Sequence, residues 1–120
     1  MKVIDPGHKY ELASLDGGAS VALTYVKRVG DKYPGNGPVA YTGTTLQEGW
    51  RAEIDRLRYL DNQEHHWVNE RCIQNLEQNL LLLESRAAER HGRTAPSAAD
   101  ILSGIVCPKC LHAGCEGACR

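Results

Sequence analysis

Two arginines, Arg86 and Arg90, stand four residues apart in "LLLLESRAAERHGR" (80–93), directly after a run of leucines and shortly before a glycine. On a helix this spacing puts both guanidinium groups on one side, one turn apart. Each group is a rigid fork of donors, so the pair suits two phosphates, each held by bidentate, charge-assisted hydrogen bonds. The plainer use of the same residues is to complement the dipole of a helix C-terminus, with Glu84 and Glu89 as partners in solvent.

Tyr59 and Asn69 flank a break in the helical pattern. A tyrosine there can stack on a base and an asparagine can bond a sugar or a purine edge. The plainer readings are partial core and helix cap. His65 and His66 are adjacent, which is not the spacing that brings two histidines to one metal, so they read as solvated loop residues. Four of the five cysteines crowd the tail "CPKCLHAGCEGACR" as Cys107, Cys110, Cys115 and Cys119, with Cys72 alone. Short, glycine-containing intervals let four thiolates converge on a tetrahedral zinc, so the tail is a candidate zinc knuckle with His112 as a substitute ligand; the alternative is an unstructured thiol-bearing tail. No Ser, His and Asp arrangement and no phosphate-binding glycine loop is present, since "YPGNG" lacks a following Lys-Ser or Lys-Thr. Catalysis is not indicated, and the expectation is a non-enzyme.

Elements must position these groups. At 120 residues the chain has room for one modest core. With 24% charged residues and a net charge of -1 it lacks the basic excess of a duplex-binding protein, so polymeric nucleic acid is not the expected partner. The N-terminus has no apolar leader and no long apolar window occurs, so the expectation is a soluble, cytosolic protein without a membrane partner. A terminal cysteine cluster in such a chain favours metal or free thiols over disulfides.

Residues 1–43 read as strands and turns. "HKYELASL" and "SVALTYVKR" are joined by the turn signal "LDGG" as a hairpin; "DKYPGNGP" (31–38) is a loop, and "VAYT" a short strand. In 44–93 the pattern becomes helical. Thr45 and Glu48 stand in capping-box spacing, and Leu46, Trp50, Ile54, Leu57 and Leu60 form a stripe despite the helix-weakening Gly49. After "NQEHHW", Asn69 is the expected cap of a second helix with the stripe Ile73, Leu76, Leu80, Leu83 and Ala87, which Arg90 continues, and Gly92 as its stop. A short connection makes the two helices an antiparallel hairpin. Residues 94–106 read as a linker, in which "ILSGIV" fits either a strand or a short helix, and 107–120 form the cysteine-rich tail. The fold class is α+β: a small antiparallel sheet, then a helical hairpin, then the tail.

The ordered segments "YELASLDGG", "LTYVKR", "YPGN", "GTTLQE", "RAEIDRLRYLDNQ", "NER" and "LLLESRAAERHGR" resemble the phage Thoeris anti-defence family, which shares a helical hairpin domain with the anti-CBASS sponges. The resemblance spans roughly residues 2–93. It implies a homo-oligomer, dimer or hexamer, in the cytoplasm of an infected bacterial host, and implies capture without cleavage of glycocyclic ADP-ribose isomers or cyclic oligonucleotides, with no cofactor required. By position it implies ligand contacts at Tyr59, Asn69, Arg86 and Arg90, and at Arg28 or Lys27 of the β half. Gly49, the "HHW" bend and the cysteine tail depart from the family pattern. The competing class is a zinc-tailed adaptor whose hairpin docks a partner protein.

Asn69 and Arg90 lie 21 positions apart, which is about 31 Å along a helix. A dinucleotide-sized ligand that touches both must sit between subunits, and two-fold packing of hairpins would make two identical pockets per dimer.

Overall fold

The computed structural model describes residues 1–104. It divides between Gly49 and Trp50 into two compact units.

The first unit carries two small sheets. Strands β1 (Lys2–Asp5), β2 (Lys9–Leu12) and β3 (Val21–Thr24) form an antiparallel sheet in the order β1-β2-β3, with Tyr10 opposite Val3 on one side and Leu23 on the other. The connection between β2 and β3 contains the expected turn, where Asp16 Oδ1 accepts from the Gly18 N–H at 3.0 Å. Short polar side chains of this kind close turns by bonding the backbone two residues on. Strand β1 has no counterpart in the sequence reading, because "KVID" is too short to establish an alternation by itself.

The run "SVALTYVKR" is not one strand. After Thr24 the chain leaves the first sheet, and β4 (Lys27–Arg28) pairs instead with β5 (Val39–Tyr41). The switch occurs at Tyr25, whose N–H donates to the His8 carbonyl at 2.6 Å, while the next N–H, of Val26, donates to Thr44 at 2.8 Å. Tyr25 and Thr44 form an isolated parallel bridge. Gly43 makes this approach feasible: a Cβ there would lie 2.4 Å from the Tyr25 carbonyl carbon. Periodicity reports a strand's faces but not which neighbour it pairs with, so the division was not legible from alternation. The loop 31–38 lies between β4 and β5 as expected.

Helix α1 (Leu46–Gln63) starts where the capping pair predicts, with the Glu48 N–H donating to Thr45 Oγ1 at 3.2 Å. Helix α2 (Trp67–Arg90) starts earlier than expected. His66, not Asn69, is its N-cap, with extended backbone and ring Nδ1 accepting from the Val68 N–H at 3.1 Å. An imidazole nitrogen does the work usually given to a hydroxyl or carboxamide. Two ion pairs fix the helix register: Arg51 meets Glu84, and Arg58 meets Glu77 at 2.5 Å. Seven positions forward on α1 match seven back on α2, so the helices run in opposite directions. Such pairs at a protein surface each contribute under about 1 kcal/mol, so they specify alignment more than stability.

The segment after α2 is more structured than a linker. Ser97 caps α3 (Ala98–Leu102), so that Ile101 and Leu102 of "ILSGIV" close a short helix, the stretch's last two residues lying outside those described, and α3 packs on α2. Gln78 Nε2 donates to the Ile101 carbonyl at 3.2 Å, and Ser85 Oγ to that of Pro96 at 2.8 Å. Among the described residues Ile54, Ala88 and Ile101 are buried, one from each helix. The α2 stripe from Ile73 to Ala87 is half-buried, and Arg90, expected to continue it, is exposed.

Candidate functional site

The basic end of α2 is built by how that helix stops. The Arg93 N–H donates back to the Ala88 carbonyl at 2.8 Å and the Gly92 N–H to that of Glu89 at 3.3 Å, with Gly92 at φ 66°. This is the paired capping arrangement that a left-handed residue makes at a helix C-terminus. It reverses the chain, so that residues 93–97 return along the last turns of α2, where Ser85 ties them through Pro96. A cleft of about 710 Å³ opens along this return, lined among others by Arg86, Glu89, Arg93, Thr94 and Ser97.

Arg86 and Arg90 sit one turn apart on α2 and both are exposed. Arg86 lines the cleft; Arg90 is not among its lining residues. Of the two glutamates considered as their partners, Glu84 is engaged by Arg51 of α1.

Tyr59 lies toward the C-terminal end of α1 and is 55% exposed. The Arg56 guanidinium stands 5.3 Å from its ring centroid, a cation–π contact that leaves the side chain at the surface. Asn69 is half-buried and belongs to the turn: its Nδ2 donates to Asp61 Oδ1 at 3.3 Å. The same carboxylate oxygen accepts from the His66 N–H at 3.0 Å, and the other meets His65 Nδ1 at 3.0 Å. The bond from the His66 backbone, followed by those from His65 and Asn69, holds Asp61 below the usual carboxylate range. Asp61 in turn, by hydrogen bond and by charge, raises His65, which also has Glu70 3.8 Å away. The adjacent histidines are therefore a helix cap and a turn clasp, roles their adjacency did not reveal.

Tyr59 and Asn69 are thus near one end of the helices, while Arg86 and Arg90 are near the other. Within α2 the separation from Asn69 to Arg86 is 17 positions, about 25 Å. One chain does not bring the four together.

In the first unit, Arg28 on β4 is exposed, whereas its neighbour Lys27 is committed locally. Lys27 Nζ donates to Asp5 Oδ1 at 3.3 Å and to the Pro6 carbonyl at 3.1 Å, and lies 6.0 Å from the Tyr41 ring centroid. Asp5 also meets His8 at 3.2 Å. Of the two basic candidates, Arg28 is the more exposed.

Among the described residues no group of three His, Cys, Asp or Glu side chains is arranged to hold a metal. Cys107, Cys110, Cys115 and Cys119 lie outside the described residues. Among the described residues no helix is long and apolar enough to cross a membrane.

Fold and site together define an α+β protein with a small antiparallel sheet, a helical part, and a basic cleft where the long helix ends. Compared with known proteins, the chain matches no family model, no curated protein and no solved structure.

Proposed function

We propose that the protein is a sponge: it binds and sequesters cyclic nucleotide immune signals, glycocyclic ADP-ribose isomers or cyclic oligonucleotides, without cleaving them, inside an infected bacterial host. The observation that carries this reading is the pair Arg86 and Arg90, exposed one turn apart where α2 ends beside an open cleft. Two guanidinium forks in that setting match the two phosphates of a pyrophosphate or a cyclic dinucleotide. Tyr59 supplies a base-stacking surface, Asn69 orientation, and Arg28 a further positive charge from the β half.

Because the helix separates these groups, the complete pocket is assembled between subunits, with the turn of one hairpin facing the basic end of another. The exposed apolar side chains of Leu60, Trp67 and Val68 around the turn support association, since a turn in a monomer gains nothing from leaving a tryptophan 68% exposed. Displacing a signal from its sensor requires nanomolar affinity, about -12 kcal/mol, which a largely preformed pocket can reach.

The test is retention. The protein is incubated with glycocyclic ADP-ribose, filtered, and heated, and the released fraction is analysed. Intact ligand in that fraction is the expected result. Ligand fragments would mean an enzyme, and ligand never retained would favour a zinc-tailed adaptor that docks a partner protein. The tail cysteines are proposed to hold a structural zinc, which a zinc assay before and after deletion of residues 104–120 checks independently.

A further inference from the structure

The cleft at the end of α2 has a charge pattern that a plain anion site would not have. Arg86 and Arg93 line it together with Glu89, and the hydroxyls of Thr94 and Ser97 lie along the returning segment. A carboxylate lining the same cleft as two guanidinium groups weakens the field that a bare phosphate or sulfate needs. It suits a ligand with both kinds of group, because an ionised glutamate only accepts hydrogen bonds and a ribose diol offers two donors to it. The cleft, at about 710 Å³ and open to solvent, is within the size range of small-molecule sites.

Its wall is also built rather than incidental. The bond from Arg93 to Ala88, the left-handed Gly92, the Ser85 to Pro96 bond and the Gln78 to Ile101 bond each fasten residues 92–101 against α2. The backbone that carries Arg93 is therefore placed before any ligand arrives, which lowers the ordering cost of binding.

We infer that this cleft takes the phosphorylated ribose of a nucleotide, with Arg86 and Arg93 on the phosphate and Glu89 accepting from the sugar hydroxyls. The inference rests on the sponge reading for the ligand class and deepens it, by assigning Arg93 and Glu89 to binding within a single chain.

Equilibrium titrations of the full chain with ADP-ribose, glycocyclic ADP-ribose and inorganic pyrophosphate test it. Arg93→Ala is expected to weaken both ribose-containing ligands at least tenfold, and Arg93→Lys to weaken them less, because charge remains while the fork is lost. Glu89→Gln is expected to weaken ADP-ribose several-fold while leaving pyrophosphate unchanged or tighter. Melting curves of each variant check that the fold persists. Wild-type binding of ADP-ribose by Arg93→Ala, or equal effects of Glu89→Gln on ADP-ribose and pyrophosphate, overturns the assignment. If Arg93→Ala still holds glycocyclic ADP-ribose as tightly as wild type, the cleft assignment falls and the sponge stands. If the wild-type chain binds ADP-ribose through Arg93 but never retains the cyclic signal, the sponge falls and the cleft stands. Binding of no ribose-containing ligand by the wild-type chain overturns both.

Discussion

Ser85, near the end of α2, donates its hydroxyl to the carbonyl of Pro96 at 2.8 Å, and this single bond joins residues eleven positions apart across the helix stop and the reversal. Both groups are partly buried, so neither exchanges its partner freely for water. Replacing Ser85 by Ala leaves the Pro96 carbonyl without this donor, at a cost of about 1 kcal/mol. The expected outcome is a small drop in melting temperature with faster amide exchange concentrated in residues 93–101. Uniformly faster exchange across α1 and α2 would show that the bond does not act locally.

Gly92 has φ 66° and open space where a Cβ would go. A substitution there meets backbone strain alone, with no steric collision to confuse the result. Gly92→Ala is expected to cost about 1 kcal/mol, and Gly92→Asn less, since asparagine tolerates the left-handed region better than alanine. Chemical denaturation of the three proteins checks the ranking. If alanine and asparagine destabilise equally, the left-handed conformation is not what the glycine supplies.

That glycine was legible in the sequence, and so was the capping pair at Thr45, because both are local: each depends on a few neighbouring residues whose conformational preferences do not need the rest of the chain. The hairpin connection around Asp16 was legible for the same reason. The failures are of another kind. Tyr25 leaves one sheet for another because His8 and Thr44 supply partners from distant positions, which no alternation within "SVALTYVKR" encodes. Asn69 has the residue type of a cap, yet its side chain is bonded to Asp61, and a histidine three positions earlier takes the cap. Arg93 is not marked by helical periodicity, because it lies beyond the helix on which Arg86 and Arg90 recur. It reaches the cleft wall only through the reversal at Gly92.

Arg86 and Arg90 are exposed, and Arg86 lines the cleft. Under the sponge reading, Arg86→Ala or Arg90→Ala removes a fork from a phosphate and is expected to cost a few kcal/mol of binding, because charge-assisted bonds in a partly desolvated pocket are the strong ones. The oligomer is expected to persist in both variants. Titration calorimetry with glycocyclic ADP-ribose, alongside sedimentation of the free variants, reads the two quantities separately. Unchanged affinity in both variants for every cyclic signal tried removes the assignment, and a stable monomer that binds tightly removes the inter-subunit pocket.

The turn between α1 and α2 predicts a specific dependence on pH. His65 is raised above the ordinary histidine value of 6.5, first through its hydrogen bond to Asp61 and then through that carboxylate's charge. Its contribution to the folded turn is therefore complete below pH 6.5 and is lost as pH rises through the raised value. Asp61 is lowered from 3.8, so its contribution is complete above that value and is lost as pH falls through the lowered one. The clasp is most secure between these limits. Because the His65 ring is 67% exposed and solvent screens it, although Asp61 is half-buried, the effect belongs to local order at residues 61–70 and not to global stability. Proton NMR of the His65 ring is expected to give a midpoint above 6.5 in the wild-type chain. In Asp61→Asn, which keeps an acceptor oxygen and removes the charge, the midpoint is expected to move back toward the ordinary value. An unchanged His65 midpoint in that variant would show that Asp61 does not hold the proton on the ring.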